Sequence, residues 1–183
     1  MTYEIRHCTR DEFIHQTHSD RSKENNFAKT FVAKADFQDI WYCCFGLYAN
    51  NILCGAQITT VSKRFPYVAN LQLLHTFPTA RGKGYGEKLS NFSLRYAKNQ
   101  KAKYWRVSSE IGAIKFYTKI GVPFVGEQKS GCLLSIFRIT STKFSENKPD
   151  INDDVIYNAI NRLGKGGCIK TYPEYIRKDL FSS

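Results

Sequence analysis

The chain predicts an α/β fold of the mixed, α+β type with a mostly antiparallel sheet, and three observations carry that prediction. Residues 40–76 hold three aromatic, apolar or β-branched runs separated by short polar turns, the pattern of an antiparallel meander. The last run, 67–76, leads through Phe77 into Arg81-Gly82-Lys83-Gly84-Tyr85-Gly86 and then an amphipathic segment, so a strand feeds a glycine-rich turn and a helix. A further β-rich run at 102–108 closes a strand–helix–strand unit, which implies a right-handed crossover between two parallel strands.

Each element has its own signal. Residues 2–9 alternate and read as a first strand. Thr9 and Glu12, three apart, form the sequence of a capping box and start a helical region over 11–37. That region is broken near residues 19–22, and its second part puts Phe27, Phe31 and Ala35 on one face. Residues 40–48 and 52–61 flank Ala49-Asn50-Asn51 as a hairpin. Residues 62–66 connect to the third meander strand. The helix over 87–101 gathers Leu89, Phe92, Ser93, Tyr96 and Ala97 on one side. A short helix over 111–120 is closed by Gly121, and strands at 124–127 and 132–140 follow. Residues 1–140 read as one domain. Residues 141–183 read as an extension with one helix at 151–163, whose first turn carries Asn152, Asp153 and Asp154. Tyr172, Tyr175 and Phe181 make this extension aromatic enough to pack on the domain.

Composition excludes several classes. No apolar stretch of about 18 residues exists, so no membrane span is expected. Residues 1–6 lack the apolar region of a secretion signal, which points to a cytoplasmic protein. The six cysteines are scattered without metal-ligand spacing, so buried free thiols and no metal site are expected. The net charge of +11 is unevenly placed. Residues 61–106 hold ten Lys and Arg against one acid, Glu87, whereas residues 141–183 are nearly balanced. The excess therefore flanks the glycine turn. It reads either as a solvated basic face or as a field for phosphates, on a cofactor or on nucleic acid.

The glycine turn and the order of elements resemble the GNAT superfamily of acyl-CoA N-acyltransferases. The family's Gln/Arg-x-x-Gly-x-Gly/Ala pattern is matched by Arg81-Gly82-Lys83-Gly84-Tyr85-Gly86. Its downstream Ala-x-x-x-Tyr-x-Lys-x-Gly-Phe pattern is similar to Ala113-Ile114-Lys115-Phe116-Tyr117-Thr118-Lys119-Ile120-Gly121-Val122. The resemblance covers residues 2–140. It implies a six- to seven-stranded sheet with helices on both faces and a central splayed βαβ unit. It also implies acetyl-CoA as acyl donor, with Arg81, Gly82, Lys83, Gly84, Tyr85 and Gly86 around its pyrophosphate. His75, Thr76 and Phe77 would bind the pantetheine arm through their backbone, and Tyr117 would protonate the leaving thiolate. A tyrosine beside a phenylalanine on a short helix is otherwise an ordinary core residue.

Three positions depart from the pattern. Many relatives carry a glutamate base where Asn70 stands, and an amide cannot accept a proton at neutral pH. Gln72 cannot either, which leaves His75 as the titratable candidate base on this strand. Glu110 replaces a common asparagine, and Val122 replaces a common phenylalanine whose packing place falls to Phe124. The implied reaction is direct acetyl transfer to a primary amine. The acceptor is not specified by the sequence, and the basic charge favours one on an anionic macromolecule. The alternative is a catalytically silent scaffold that binds nucleic acid through its basic face, with Tyr96, Tyr104 and Trp105 for stacking. A homodimer is compatible with either.

Overall fold

The computed structural model describes residues 2–19, 26–62 and 67–172. In chain order the elements are β1 (Tyr3–His7), α1 (Arg10–Ser19), α2 (Asn26–Gln38), β2 (Cys44–Ala49), β3 (Ile52–Val61), β4 (Val68–Thr76), α3 (Tyr85–Asn99), β5 (Tyr104–Ser109), α4 (Ile114–Lys119), β6 (Gly126–Gln128), β7 (Leu133–Arg138), α5 (Asp154–Ile160) and β8 (Cys168–Thr171). The strands hydrogen-bond in the order β1-β2-β3-β4-β5-β7-β6-β8. Among the described residues only β4 and β5 pair in parallel, over Val68↔Tyr104, Ala69↔Trp105 and Asn70↔Arg106. The chain divides into two compact units, Met1–Thr60 with Leu71–Tyr96, and Val61–Asn70 with Ala97–Ser183. The strand β4 runs through both.

In the first unit, α1 starts as its sequence dictates. The Thr9 hydroxyl accepts from the Glu12 N–H at 3.2 Å, and the Glu12 carboxylate accepts from the Thr9 N–H at 2.8 Å. This backbone bond, with those from the Thr9 hydroxyl and Arg6, holds the Glu12 carboxyl down at about 2 against the opposing effect of burial. One apolar cluster joins Phe13, Ala28, Phe31 and Ala35 of the first two helices to Ile58, Leu73 and Phe77. A second cluster joins Tyr85 and Leu89 of α3 to Leu47, Cys54 and Ala80, with Leu74 packed against it. Leu73 and Leu74 are adjacent on β4 and belong to different clusters, so helices cover both faces of this part of the sheet. The side chain of Phe27 and the break near residues 19–22 beyond Ser19 lie outside the described residues, as do residues 63–66.

In the second unit, Trp105 stacks on Phe137 with centroids 5.5 Å apart and meets Phe144 edge-on at 5.0 Å. All three are essentially fully buried, and each such side chain contributes about 2–3 kcal/mol of burial. On the other face Tyr104, Val125, Leu134 and Ile136 receive Ile156 and Ile160 of α5. Asp153 anchors this helix. Its carboxylate caps the Val155 N–H at 3.0 Å, and accepts from the Tyr104 hydroxyl at 2.9 Å and from Arg138 at 2.8 Å. Burial alone would raise the Asp153 carboxyl. The bonds from Arg138, Tyr104 and the helix amides outweigh it and leave the group below its usual value.

Several expectations are corrected. Residues 41–43 form a 3-10 turn rather than strand, and β2 begins at Cys44. The helix α3 begins two residues early, because Tyr85 is anchored in the core. The extension contributes an eighth strand, β8, which pairs antiparallel with β6. Tyr172 is buried and its N–H bonds the Val125 carbonyl at 2.9 Å; Tyr175 and Phe181 lie outside the described residues. The cysteines are free thiols, but only Cys8, Cys43, Cys44 and Cys54 are buried, while Cys132 and Cys168 are partly exposed. No described helix is long and apolar enough to cross a membrane.

Asp153→Ala removes a cap and two charge-assisted bonds, so it is expected to cost about 2–4 kcal/mol at neutral pH, read from urea denaturation. The native carboxyl titrates below the unfolded one, so this stabilisation is complete above a pH of about 4. It is lost as the pH falls through the lower native value, and the gap between wild type and variant should close there.

Candidate functional site

The register of β4 decides what the site presents. At one end the Ser62 N–H donates to the Val68 carbonyl at 3.0 Å, and at the other the Phe77 N–H donates to the Cys54 carbonyl at 3.0 Å. These two bonds stand one residue out of register, so β4 carries one extra residue between them, a bulge. Past it, the backbone of Phe77 and, by alternation, of His75 faces β3. A Cβ built on Gly55 would lie 2.6 Å from the His75 carbonyl oxygen, as that orientation requires. Thr76 and Leu74 face the opposite edge. Of the three residues expected to offer backbone bonds to a ligand, only Thr76 therefore presents them away from β3. Its carbonyl already accepts from Arg81 Nε at 3.3 Å, which leaves its N–H.

The turn comes directly after the strand end. Residues Pro78–Ala80 make one 3-10 turn, closed by the Ala80 N–H on the Phe77 carbonyl at 2.8 Å. Gly82 and Gly84 then take φ of +78° and +75°. A Cβ at either would meet nothing within 4 Å, so backbone conformation rather than space calls for glycine there. The Gly84 carbonyl accepts the first helical bond, from Lys88, at 3.2 Å. The N–H groups of Tyr85, Gly86 and Glu87 consequently head the helix without intrahelical partners and carry its partial positive charge. Tyr85 can contribute only this backbone group, because its ring is in the core. Beside the turn lies a cleft of about 450 Å³ lined by Lys83, Gly84, Lys88 and Arg95, with Glu87 the acid on its wall. Part of the basic excess is thus placed where an anion on the helix terminus would feel it.

His75 is buried, with its imidazole edge-on to Phe77 at 4.9 Å and to Phe13 at 6.3 Å. That is the position of a core side chain on the face of α1. A base for a reacting amine needs hydrogen-bond reach of it, and these aromatic contacts place the His75 ring on the α1 face of the strand.

In the second unit, Tyr117 of α4 is 4% exposed and edge-on to Phe116 and Phe124. Phe124 fills the packing place that Val122 leaves, and Val122 is itself buried. Burial drives the Tyr117 phenol well above its ordinary value, so it stays protonated throughout the neutral range. Its hydroxyl makes no hydrogen bond among the described residues. Glu110 is exposed at the end of β5. Asn70 lies beside Arg106, with Oδ1 and Nη1 3.5 Å apart. Both line a second cleft, of about 510 Å³, together with Asp154, Asn158 and Arg162 from the α5 region. The sequence counted Arg106 only within the basic excess. Its place among apolar neighbours on an alternating strand was the available signal. Among the described residues no three His, Cys, Asp or Glu side chains gather in a way that could hold a metal ion.

This architecture and turn are those of an acyl-group-transfer fold. Residues 3–122 match the acetyltransferase (GNAT) family, and the chain belongs to that family. Among similar solved structures is the PaiA N-acetyltransferase of Thermoplasma acidophilum in complex with coenzyme A. It has 15% identity and a TM-score of 0.60, over 75% of this chain and 99% of that one. A probable acetyltransferase from Staphylococcus epidermidis has 15% identity and a TM-score of 0.61, over 76% of this chain and 100% of that one. A chain of the NatC complex bound to Gag peptide and CoA has 13% identity and a TM-score of 0.57, over 76% and 100%. At such identities the likeness is one of fold. No curated protein matches the chain.

Two glycine substitutions separate conformation from space. Gly84→Ala is expected to cost about 1 kcal/mol, the left-handed penalty alone. Gly55→Ala is expected to cost about 3 kcal/mol, because its Cβ would collide with the His75 backbone. Chemical denaturation of the two variants checks the order.

Proposed function

We propose that the protein transfers the acetyl group of acetyl-CoA directly to a primary amine. The observation that carries this reading is the pair of left-handed glycines, Gly82 and Gly84, that start α3 with unpaired N–H groups directly after β4, beside a cleft lined by Lys83, Lys88 and Arg95. Backbone amides at a helix N-terminus bind phosphate through both hydrogen bonding and the helix dipole. Lys83 supplies charge to the same anion. Arg81, tied to the Thr76 carbonyl, holds the turn against the strand end. Membership of an acetyltransferase family and a fold shared with proteins solved with coenzyme A support a thioester donor over a simple phosphate ligand.

The chemistry is divided among a few groups. The Thr76 N–H offers a bond to the pantetheine arm, in the manner of an added strand. The amine attacks the thioester carbonyl, and the carbon–sulfur bond breaks as the tetrahedral adduct collapses. The departing thiolate needs a proton, and Tyr117, held protonated by its burial, is the acid suited to give it. Neither Asn70 nor the core-packed His75 takes the amine's proton in this scheme. The acceptor reacts as the neutral amine, the ammonium proton of the adduct passes to solvent, and solvent returns a proton to the Tyr117 phenolate, so amine and thioester become amide and free thiol; positioning supplies much of the acceleration.

The experiment is titration calorimetry with acetyl-CoA, followed by release of free coenzyme A thiol over a panel of amines. Binding with turnover is the expected result. Failure to bind at millimolar donor would overturn the reading, and tight binding without turnover on a broad panel would establish the silent scaffold instead. Tyr117→Phe is expected to lower kcat about a hundredfold with donor affinity unchanged. Because the Tyr117 acid form persists as the pH rises, the wild-type rate should climb from about pH 7 to about pH 9 as more amine is neutral. A fall over that interval would remove Tyr117 from the role.

A further inference from the structure

The cleft lined by Asn70, Arg106, Asp154, Asn158 and Arg162 belongs wholly to the second unit. Its floor is β4 and β5, and its wall is α5 and the residues just after it. Arg106 projects from β5 between the buried Trp105 and Val107 and is itself half-buried. A guanidinium removed from water normally has a carboxylate partner. Here no described carboxylate bonds or pairs with Arg106. Its one hydrogen-bond contact is the Asn70 carbonyl oxygen at 3.5 Å, a long one. Another cation, Arg162, also lines the cleft and acts on the Arg106 charge, while the Cys168 thiol acts on it in the opposite sense. Burial first, and then this like charge, weaken the hold of Arg106 on its proton. Both guanidinium groups line the one cleft, Arg106 half-buried and Arg162 exposed. Apolar Val68, Ile136, Val155 and Ala159 make up most of the remaining lining. Asp154 is the exposed acid on the wall, and among the described residues it forms no ion pair with either arginine.

We propose that this cleft is an oxyanion subsite, in which Arg106 and Arg162 hold a carboxylate or phosphate group of the acceptor, with the Asn70 and Asn158 amides beside them. Planar guanidinium forks match both groups in geometry, and a charge-assisted bond in a partly dry cavity is stronger than one in water. An anion there gives the half-buried Arg106 the charge partner it lacks among the described residues, so binding relieves a cost that the free protein carries. The preferred acceptor is therefore a small amine that also bears an anionic group. This last step rests on the acetyltransferase reading; the anion subsite does not.

The test has two arms on the full chain. In the first, acetate and inorganic phosphate are titrated separately into isotope-labelled protein and followed by NMR. Saturable shifts at Arg106 Nε–H and the Asn70 side-chain amide are expected with one or both anions, and the stronger response tells carboxylate from phosphate. Arg106→Met should weaken that response about tenfold or more and abolish the anion-dependent rise in Tm. Arg106→Lys should recover part of it. If Arg106→Met fails to fold, Arg162→Met carries the same comparison, with about a tenfold loss expected. Shifts confined to residues 82–86, or none, would overturn the subsite. In the second arm, free amino acids and their amides are compared as acetyl acceptors. A preference of about tenfold or more in kcat/KM for the acids, lost in Arg106→Met, supports the proposal. Equal turnover of acids and amides overturns the acceptor class while leaving the transferase reading intact. Anion shifts at Arg106 without turnover of any amine support the subsite and defeat the transferase reading.

Discussion

The hydrogen bond from the Phe77 N–H to the Cys54 carbonyl sets the geometry of the strand end and of the turn beyond it. It locks the end of β4 onto β3 one register beyond the start of the strand. That offset decides which backbone groups look outward and which side chains enter the helical face. It consumes the Phe77 N–H, commits His75 to the aromatic cluster with Phe13, and turns Thr76 to the open edge. It also sets the point from which the 3-10 turn and the two left-handed glycines launch α3. A glycine at position 55 belongs to the same constraint, because β3 approaches the strand end too closely for a Cβ.

Local chemistry was legible in the sequence, and register was not. The Thr9–Glu12 capping box forms as read, since its partners are three residues apart and need no tertiary help. Gly82 and Gly84 adopt the conformation that their spacing suggests, and the family resemblance built on them holds. The features that escaped depend on distant partners. Burial along β4 alternates strictly, so alternation does place His75 opposite Asn70 and Gln72; a bulge leaves no local signature in an apolar run, so the edge that the backbone of His75 and Phe77 faces could not be told. The strand β8 is four residues long and mostly exposed; only pairing with β6 makes it a strand. Trp41 and Tyr42 have strand propensity, yet they enter a 3-10 turn. There Trp41 donates its indole N–H to Asp36 at 2.7 Å, a partner outside any periodic pattern.

Charge illustrates the same division. The count of Lys and Arg between residues 61 and 106 located a field, and the structure resolves it into separate environments. Lys83, Lys88 and Arg95 line one cleft beside the glycine turn, in solvent reach and suited to a mobile phosphate. Arg106 lies in another, where burial makes its charge costly and the want of a described acid partner informative. Composition cannot distinguish these, because it records the sign of a charge and not the medium around it.

Asp153 ties α5 to Tyr104 and Arg138, and through that tie a segment beyond the region matched to the family becomes the wall of a cleft on the sheet. The strand end and the glycine turn are carried by residues 76–87, whereas the cleft wall is carried by residues 154–162. The two stretches can change independently during descent. A lineage could exchange the segment after the anchoring carboxylate, and so reshape that cleft, without disturbing the turn that launches α3.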